Sequence, residues 1–453
     1  VRDLRKKHSL TQDELAQCLG INKRTIIGWE RDGRYPRSIE MLEKMADIFH
    51  VPLTYLQPDQ SLFIERAAEA YGKKGKIEAQ HLAFELTELF ASGELTPQDM
   101  DGIMYEMHKA YFKYREQKRE KERIMKFSSL SYYSSRNDVF VSPEKLMSYP
   151  ERTTGGNAGF GRFFKKSPNA PARELPKVVL KKTDFAANPS AYALYWFGHS
   201  SAMLELDGVR VLIDPVLENA APLPGIVPRY TTSPIKREEL PDVDVVLITH
   251  DHYDHLEVKT IKFLRNRDTR FIVPLGVGAR LRGWGVPEER IIELGWAERT
   301  EIGPLQITST PSVHYSGRSK TDSNKTLWTG YAIKGTQKNV FWSGDSGYGK
   351  HFRQIGEQYG PFDLACIEID GWNPGWPNTH LFPEEVISVC KDVNAKKLLP
   401  VHWGVFDLAL HPWDESIQKV SALAEADSIE LISPIMGERI VPGESFTRTW
   451  WRD

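Results

Sequence analysis

Three histidines and Asp254 stand within six consecutive positions of the chain, from His250 to His255. Imidazole and carboxylate groups are common protein ligands of Zn²⁺, Mn²⁺ and Fe²⁺. His250 and His252 are two residues apart, so their side chains lie on the same side of an extended segment. Asp254 and His255 follow where the chain should turn from a strand into a helix. This density of ligands predicts a metal site and makes a hydrolase the leading interpretation.

Four ligands so close in sequence do not easily all reach one tetrahedral ion, so the cluster favours two metal ions. Three further segments each place one candidate ligand directly after a predicted strand, namely His314, Asp345 and His402. Taken singly, each of these is more simply a surface residue or a hydrogen-bonded core residue. Their recurrence at strand ends, in this order, favours a shared site with the first cluster.

The size and charge of the chain restrict its class. At 453 residues it exceeds one ordinary core, so two or three domains are expected. The 59 Lys and Arg residues nearly balance 61 Asp and Glu residues, so any basic patch must be local. No apolar run approaches the ~18–20 residues of a membrane span, and the charged start lacks the apolar segment of a signal peptide. We expect a soluble cytoplasmic protein whose three cysteines are reduced and buried.

The residue patterns divide the chain into four regions. Residues 1–58 show the helical period, with Thr11 and Glu14 spaced as in a capping box and Gly20 ending that helix. Residues 59–127 remain helical and are predicted to be a spacer or dimerisation element. Residues 128–180 are rich in Ser, Tyr, Gly, Asn and Pro, which predicts an irregular arm. Over 181–453, short β-like runs alternate with helical stretches, which predicts a layered α/β domain.

The metal motifs are similar to those of a known superfamily. His250-Asp-His252-Tyr-Asp254-His255, followed by His314, Asp345 and His402, resembles the metallo-β-lactamase-fold hydrolases. Further segments resemble the N-acylphosphatidylethanolamine phospholipase D-like branch and its bacterial relatives. These are Trp196-Phe-Gly-His199-Ser-Ser, Leu212-Ile-Asp214-Pro215, Gly344-Asp345-Ser-Gly-Tyr348, His380-Leu-Phe-Pro383-Glu-Glu385 and Val401-His402-Trp403-Gly404. The resemblance covers about residues 130–453.

This resemblance implies a fold, a cofactor and a ligand set. The fold is a four-layer αββα sandwich with two Zn²⁺ ions at one sheet edge, and Mn²⁺ or Fe²⁺ also suits such ligands. One ion takes His250, His252 and His314. The other takes Asp254, His255 and His402, and Asp345 bridges both.

Two metal ions lower the pKa of a shared water to roughly 7, which predicts hydrolysis at a phosphorus or carbonyl centre. Asp254 is the carboxylate best placed to orient that water as well as to bind metal. By resemblance, His380 lies near the substrate, where it contacts a phosphate oxygen or protonates the leaving group; the alternative is a histidine that only begins a helix. His199 either belongs to the site or only buttresses it.

The sequence is compatible with several classes of substrate. Phosphodiester, lactone and amide groups all suit a two-metal site, so we expect a small-molecule or lipid-like substrate. Five aromatic residues in the C-terminal part either line an apolar channel for a lipophilic group or pack the core. They are Trp372, Trp376, Trp403, Phe406 and Trp413.

The N-terminal region resembles the phage-repressor-like (XRE) helix-turn-helix family. The segments that carry the resemblance are Leu10-Thr-Gln-Asp-Glu-Leu-Ala16, Leu19-Gly-Ile-Asn22, Ile26 and Trp29-Glu-Arg31. It implies double-stranded DNA as a partner, with a recognition helix over about 23–31. Residues 22–37 hold five Lys or Arg against two acidic residues, a local basic face. The residues expected at DNA are Gln12, Asn22, Lys23, Arg24, Thr25, Gly28 and Arg34.

Such DNA readers normally act as dimers, so a homodimer is expected. The alternative for this region is a helical module that does not bind DNA. For the whole chain, an active hydrolase carried on a DNA reader competes with a regulator whose lactamase-like domain only senses a ligand. The complete set of seven ligands favours the hydrolase. Hydrolysis of nucleic acid is less favoured, because no basic stretch lies near the metal motifs.

Overall fold

In the computed structural model, the chain divides into two units, residues 1–126 and 127–453. The structure describes the chain except residues 9, 32–38, 52–60, 91–96, 143–168, 221–226, 228, 320, 410, 442–447 and 453.

The first unit begins with four short helices. They are α1 (Arg2–Lys7), α2 (Gln12–Leu19), α3 (Lys23–Arg31) and α4 (Ile39–Phe49). The predicted capping box forms, since the Thr11 side chain accepts from the Glu14 N–H and the Glu14 carboxylate accepts from the Thr11 N–H. Gly20 then ends α2 with a φ of 67°, a left-handed conformation that favours glycine. Leu15, Ile26 and Phe49 are among the buried residues that pack these helices together.

Two long helices follow, α5 (Ser61–Phe90) and α6 (Pro97–Phe127), and all of their residues except Phe127 belong to the first unit. The helix α5 breaks at Gly72, whose φ of 64° and ψ of −156° are not helical. Phe63 and Tyr111 are buried between the two helices with an edge-on ring contact. The helical character predicted for 59–127 is therefore present in the described residues.

The described residues of the second unit form two seven-stranded sheets and a small hairpin, β1 (Tyr133–Ser134) with β2 (Val139–Phe140). The first sheet has the order β16-β3-β4-β5-β6-β7-β8. Its strands are β3 (Tyr192–Gly198), β4 (Ser201–Leu206), β5 (Val209–Ile213), β6 (Val245–Leu247), β7 (Arg270–Pro274), β8 (Ile291–Leu294) and β16 (Arg439–Ile440). Strands β5 to β8 are parallel, so their carboxyl ends meet at one edge.

The second sheet has the order β15-β14-β13-β12-β11-β10-β9. Its strands are β9 (Arg299–Ile302), β10 (Leu305–Thr310), β11 (Gly330–Lys334), β12 (Asn339–Trp342), β13 (Leu364–Glu368), β14 (Lys397–Val401) and β15 (Glu430–Leu431). Strands β12 to β15 are parallel, which again brings their carboxyl ends to one edge.

Helices complete the layers. They are α7 (Val258–Leu264), α8 (Gly278–Gly283), α9 (His351–Tyr359), α10 (Pro383–Asp392) and α11 (Glu415–Ala426). Alternate residues of β6 face different cores. Val245 and Leu247 join the core shared with the second sheet, whereas Val246 packs with Ile261 of α7 and Leu281 of α8. A strand buried on both faces explains the unbroken apolar run before His250.

On the second sheet, α10 packs against β13 and lies beside α9 and α11. The arrangement is helices, sheet, sheet, helices, which confirms the predicted αββα sandwich. The sequence pattern predicts strands at 209–213 and 364–368 and a helix at 258–267. Both strands have these bounds, and the helix ends at Leu264.

Some expectations need correction. The arm predicted over 128–180 is not wholly irregular, because residues 133–140 form the β1–β2 hairpin; residues 143–168 of that arm lie outside the described residues. Cys366 and Cys390 are buried thiols as expected, but Cys18 is exposed. No helix among the described residues combines the length and apolar character needed to cross a membrane.

Candidate metal centre

The candidate ligands lie in loops that leave the carboxyl ends of neighbouring strands. Residues 249–255 connect β6 to α7, and His314 follows β10. Asp345 follows β12 and His402 follows β14. Because parallel strands end at the same sheet edge, residues far apart in sequence meet there.

The first ligand group consists of His250, His252, His314 and Asp345. His250 Nε2 lies 2.8 Å from His252 Nδ1, and His314 Nε2 lies 3.3 Å from the same atom. Asp345 Oδ2 lies 3.7 Å from His250 Nε2 and 3.6 Å from His314 Nε2. Four potential ligand atoms thus face one small volume.

The second group consists of His199, Asp254, His255 and His402. Asp254 Oδ2 lies 3.1 Å from His199 Nε2, 3.6 Å from His255 Nε2 and 3.5 Å from His402 Nε2. Asp345 also borders this group, with Oδ1 3.2 Å from His255 Nε2 and Oδ2 3.1 Å from His402 Nε2. Its carboxylate therefore lies between the two groups.

The donor sets fit divalent ions. In a tetrahedral site with Zn–N bonds of about 2.0–2.1 Å, neighbouring ligand atoms are roughly 3.3 Å apart, close to the separations found here. Within the described part of the chain, His255 Nε2, His402 Nε2 and Asp345 Oδ1 are buried without a hydrogen bond. Such groups are costly unless something pairs with them. A bound cation would satisfy all three.

The carboxylates of the centre are held ionised. Burial opposes this, but the facing imidazoles of His255 and His402 hold the pKa of Asp345 well below its usual value. For Asp254, burial is likewise outweighed by His255 and by the hydrogen bond from His199, so its pKa is also well below the usual value. Each ionised carboxylate offers a charged oxygen to a metal ion, which on binding would displace the protons of the facing rings.

The histidines respond differently to the same surroundings. Burial lowers the pKa values of His250 and His314 well below the usual value, which keeps both rings neutral and able to bind a metal. At His255 and His402 burial acts in the same direction, but Asp345 outweighs it. The pKa of His255 rises to about 10, and that of His402 rises well above its usual value.

Asp214, at the end of β5, orients the loop from behind. It is fully buried, and its Oδ2 lies 2.8 Å from His255 Nδ1. The same carboxylate accepts from the Thr249 N–H at 2.8 Å and from the Thr249 hydroxyl at 2.6 Å. A carboxylate on the far nitrogen of a histidine fixes the tautomer that leaves the other nitrogen for a metal. His314 is oriented similarly, since its Nδ1 lies 3.0 Å from the Thr379 carbonyl oxygen.

Asp251, the acid inside the motif that is absent from both groups, anchors the loop. Its Oδ2 accepts from Arg280 Nε at 2.8 Å, and its Oδ1 accepts from the Gly317 N–H at 2.8 Å. Arg318 donates to the carbonyl oxygens of Asp251 and Leu256, both at 2.8 Å, and its guanidinium lies 3.8 Å from the Tyr253 ring centroid. These contacts join the 250–255 loop to the segment that follows His314.

His380 lies beside the ligand groups, with its ring centroid 5.1 Å from those of His314 and His402. Its Nδ1 lies 2.6 Å from Glu368 Oε2. Burial disfavours the charged ring, but the Glu368 carboxylate raises the pKa of His380 above its usual value. His199, for which the sequence allows either a place in the site or a supporting role, joins the second group and contacts Asp254 directly.

The residues expected at DNA lie in the first unit. Asn22, Lys23, Arg24 and Thr25 are exposed at the start of α3, while Gln12 and Gly28 are partly buried. Two of them have partners within the protein, because Gln12 donates to Glu30 and Lys23 pairs with Asp13. The Asn22 side chain accepts from the Arg24 N–H. Arg34 lies outside the described residues.

The aromatic residues pack mainly with one another. Trp403 is buried and stacks with Trp196 at 5.5 Å and with Trp450 at 5.1 Å between centroids. Trp372 stacks on His411 at 4.4 Å. Core packing therefore accounts for Trp403 and Trp372. Trp376 donates to the Gly371 carbonyl oxygen, which anchors its loop.

Sequence reasoning missed several residues that the structure places at the centre. In the sequence, Asp214 is marked only by the segment that resembles the superfamily, and Glu368 and Arg318 are not marked by any motif. The signal for the two acids was a single carboxylate ending an apolar strand, at 209–213 and at 364–368. Arg318 had no comparable signal, since it lies in a loop.

An αββα sandwich with histidines and aspartates gathered at its strand ends defines a metal-dependent hydrolase. Comparison with known proteins agrees. The profile of the β-lactamase superfamily domain matches residues 209–403, and a helix-turn-helix profile matches residues 1–56. An uncharacterised protein of Mycobacterium tuberculosis is 41% identical over 293 residues, which cover 63% of this chain and 78% of the relative.

Two further relatives are named as phospholipases. The N-acyl-phosphatidylethanolamine-hydrolyzing phospholipase D 1 of Caenorhabditis elegans is 30% identical over 331 residues, covering 66% of this chain and 91% of the relative. The mitochondrial enzyme of the same description from Saccharomyces cerevisiae is 32% identical over 241 residues, covering 51% of each chain. The chain belongs to the metallo-β-lactamase superfamily, in the branch that includes these phospholipases, and carries an N-terminal helix-turn-helix domain.

Proposed function

We propose that this chain is a binuclear zinc hydrolase that cleaves phosphodiesters, with a helix-turn-helix domain that binds double-stranded DNA. One observation carries the hydrolase proposal: the seven candidate ligands, together with His199, form two adjoining groups, and Asp345 borders both. Phosphodiesters are the favoured class because the named relatives are described as acting on N-acyl-phosphatidylethanolamine. Mn²⁺ and Fe²⁺ are the other ions that this ligand set suits.

When bound, two divalent ions supply Lewis acidity and a water of lowered pKa. The chain's own residues do the rest. Asp254, an ionised carboxylate in the second group, would bind metal and orient a nearby water by accepting a hydrogen bond from it. His380 lies beside both groups and is placed to contact a phosphate oxygen of the substrate. Asp214 and Arg318 hold the ligand loop in position while the reaction proceeds.

A substrate panel tests this function. The full chain, loaded with Zn²⁺, Mn²⁺ or Fe²⁺, is assayed on bis(4-nitrophenyl) phosphate, an N-acyl-phosphatidylethanolamine, a lactone and an amide. We expect turnover of the phosphodiesters that is lost with a chelator and restored by metal. Turnover of the lactone or the amide alone would show that the substrate is not a phosphodiester. If no substrate is turned over although two ions are bound, the result would favour the alternative in which the lactamase-like domain only senses a ligand.

The DNA-binding part of the proposal depends on α3. Four of the seven predicted residues are exposed where α3 begins, the position from which recognition helices of this type contact base edges. The Arg24 side chain has no ion pair within the described residues. It is therefore available for DNA, unlike Lys23, which pairs with Asp13.

We expect Arg24→Ala to weaken binding to a DNA duplex selected by the full chain from a random library by about 1–3 kcal/mol. Bidentate contacts of arginine with guanine explain a loss of this size. Competition titrations at fixed salt measure it, with Lys76→Ala on α5 as the control. Equal losses for selected and random duplexes would assign Arg24 to the phosphates, and no loss would remove it from the interface.

A further inference from the structure

Glu368 is a buried carboxylate at the metal centre that has no place among the seven proposed ligands. It ends β13, and its exposed fraction is 0%. On one side β13 pairs in parallel with β12, which leads to Asp345; on the other it pairs with β14, which leads to His402. Glu368 therefore lies between the strands that carry two of the candidate ligands.

Both oxygens of Glu368 have specific partners. Oε1 accepts from the Ser346 N–H at 2.7 Å, and Oε2 lies 2.6 Å from His380 Nδ1. A buried charge is a poor way to gain stability, because its desolvation offsets what its partners return. An acid in an otherwise apolar strand thus suggests a role in positioning.

The His380 ring is held from two sides. Its Nδ1 faces Glu368, and a Cβ added at Gly371 would lie 3.1 Å from Cγ, Nδ1 and Cδ2 of the ring. A side chain at Gly371 would press against the ring, so the glycine favours this close approach. Among the described residues no hydrogen bond is made to His380 Nε2, so that nitrogen remains available.

We propose that Glu368 is a positioning residue for His380: by accepting from Nδ1–H it fixes the ring and leaves Nε2 to contact a substrate phosphate oxygen. This inference rests on the proposed phosphodiester function. Glu368 contacts His380 and the Asp345 loop, and its Oε2 also lies 3.9 Å from His402 Nδ1, beyond hydrogen-bond distance. It therefore acts on the substrate through His380. Its effect should therefore vanish when His380 is removed.

The competing role for Glu368 is metal binding. One atom each from Asp345, Glu368, His380 and His402 lie within 4.8 Å of one another, a third group able to hold an ion. A ligand and a positioning residue differ in what their loss does. Loss of a ligand removes metal whether or not His380 is present, whereas loss of a positioning residue leaves the bound metal unchanged.

A double-mutant cycle decides between these roles. Wild type, Glu368→Gln, His380→Ala and the double variant are compared as zinc-loaded full chains on bis(4-nitrophenyl) phosphate, with bound zinc measured for each. We expect His380→Ala to lower kcat about 10²-fold and Glu368→Gln about tenfold, with smaller changes in KM. The double variant should match His380→Ala, because Glu368 acts through that ring.

Matched variants keep the cycle interpretable. Glu385→Gln alters a carboxylate that caps α10 through the Phe382 N–H and should leave kcat unchanged. Should Glu368→Gln fail to fold, Glu368→Asp takes its place, with a carboxylate one methylene shorter. Independent losses in the double variant, or lost zinc in Glu368→Gln, would overturn the proposal.

A binding measurement separates this inference from the proposed function. If the wild type turns over no phosphodiester, the same four proteins are titrated with inorganic phosphate in a calorimeter. Weaker phosphate binding in both single variants, with no further loss in the double, supports the positioning role even though the function has failed. Unchanged binding in Glu368→Gln contradicts it.

Discussion

Asp345→Ala is expected to abolish hydrolysis and to reduce bound zinc below two ions per chain. The Asp345 carboxylate lies 3.1–3.7 Å from nitrogens of His250, His255, His314 and His402, so it borders both ligand groups. Changes to residues behind metal ligands cost about 10–100-fold. Loss of a carboxylate shared by both ions should exceed that range. Elemental analysis and steady-state turnover of the zinc-loaded protein measure the two effects.

The matched control is Asp363→Ala. Asp363 precedes β13 at the opposite end of the strand from Glu368 and pairs with Lys338. We expect it to keep two zinc ions and wild-type turnover. DNA binding by Asp345→Ala should also be unchanged, since the residues expected at DNA lie in the first unit. Two bound ions together with near-normal turnover in Asp345→Ala would refute the bridging assignment.

The sequence predicted the ligand groups because residue type and strand position both pointed to them. His250 to His255 follow an apolar run, and β12 and β14 end just before Asp345 and His402. Because parallel strands end at one edge of the sheet, ligands that are far apart in the sequence lie close together there. The partition of the seven ligands between two ions stays a prediction, although the structure brings their atoms together as expected.

The strands and helices that the sequence did not predict have few regularly spaced apolar residues. The edge strand β9, Arg-Thr-Glu-Ile, has only its last residue buried, so it shows no alternation of apolar residues. The helix α9 buries Phe352 and Ile355 among polar neighbours, too few to mark a helical face. The roles of Glu368 and Asp251 could not be predicted either, because they depend on contacts with His380 and Arg280 that the sequence does not indicate.

Asp214 and Asp251 position the ligand loop in different ways. Asp251 binds Arg280 and holds the loop from outside, whereas Asp214 contacts His255 and holds it from within. Neither belongs to a ligand group. Such positioning is most important for histidine ligands. A neutral histidine has one unprotonated nitrogen, and a hydrogen bond to the other nitrogen decides which one is available to the metal.

Asp214→Ala is expected to weaken zinc binding about 10–100-fold and to destabilise the apo-protein. The substitution leaves the Thr249 N–H and His255 Nδ1 without their buried acceptor. Removing one partner of a buried, charged pair costs about 3–5 kcal/mol of unfolding free energy. Competition with a fluorescent chelator measures the affinity, and denaturant unfolding of the chelator-treated protein measures the stability.

Asp214→Asn separates the two effects. Its amide oxygen can still accept from the Thr249 N–H, so the loss of stability should be smaller than in Asp214→Ala. Its amide N–H faces His255 Nδ1, however, and favours the tautomer whose proton is on Nε2, the nitrogen required for metal. Zinc affinity should therefore fall as far as in Asp214→Ala. Asp244→Ala, an exposed acid that accepts from the Arg210 N–H, is the control and should change affinity little. Wild-type zinc affinity in Asp214→Asn would show that the carboxylate does not select the tautomer of His255.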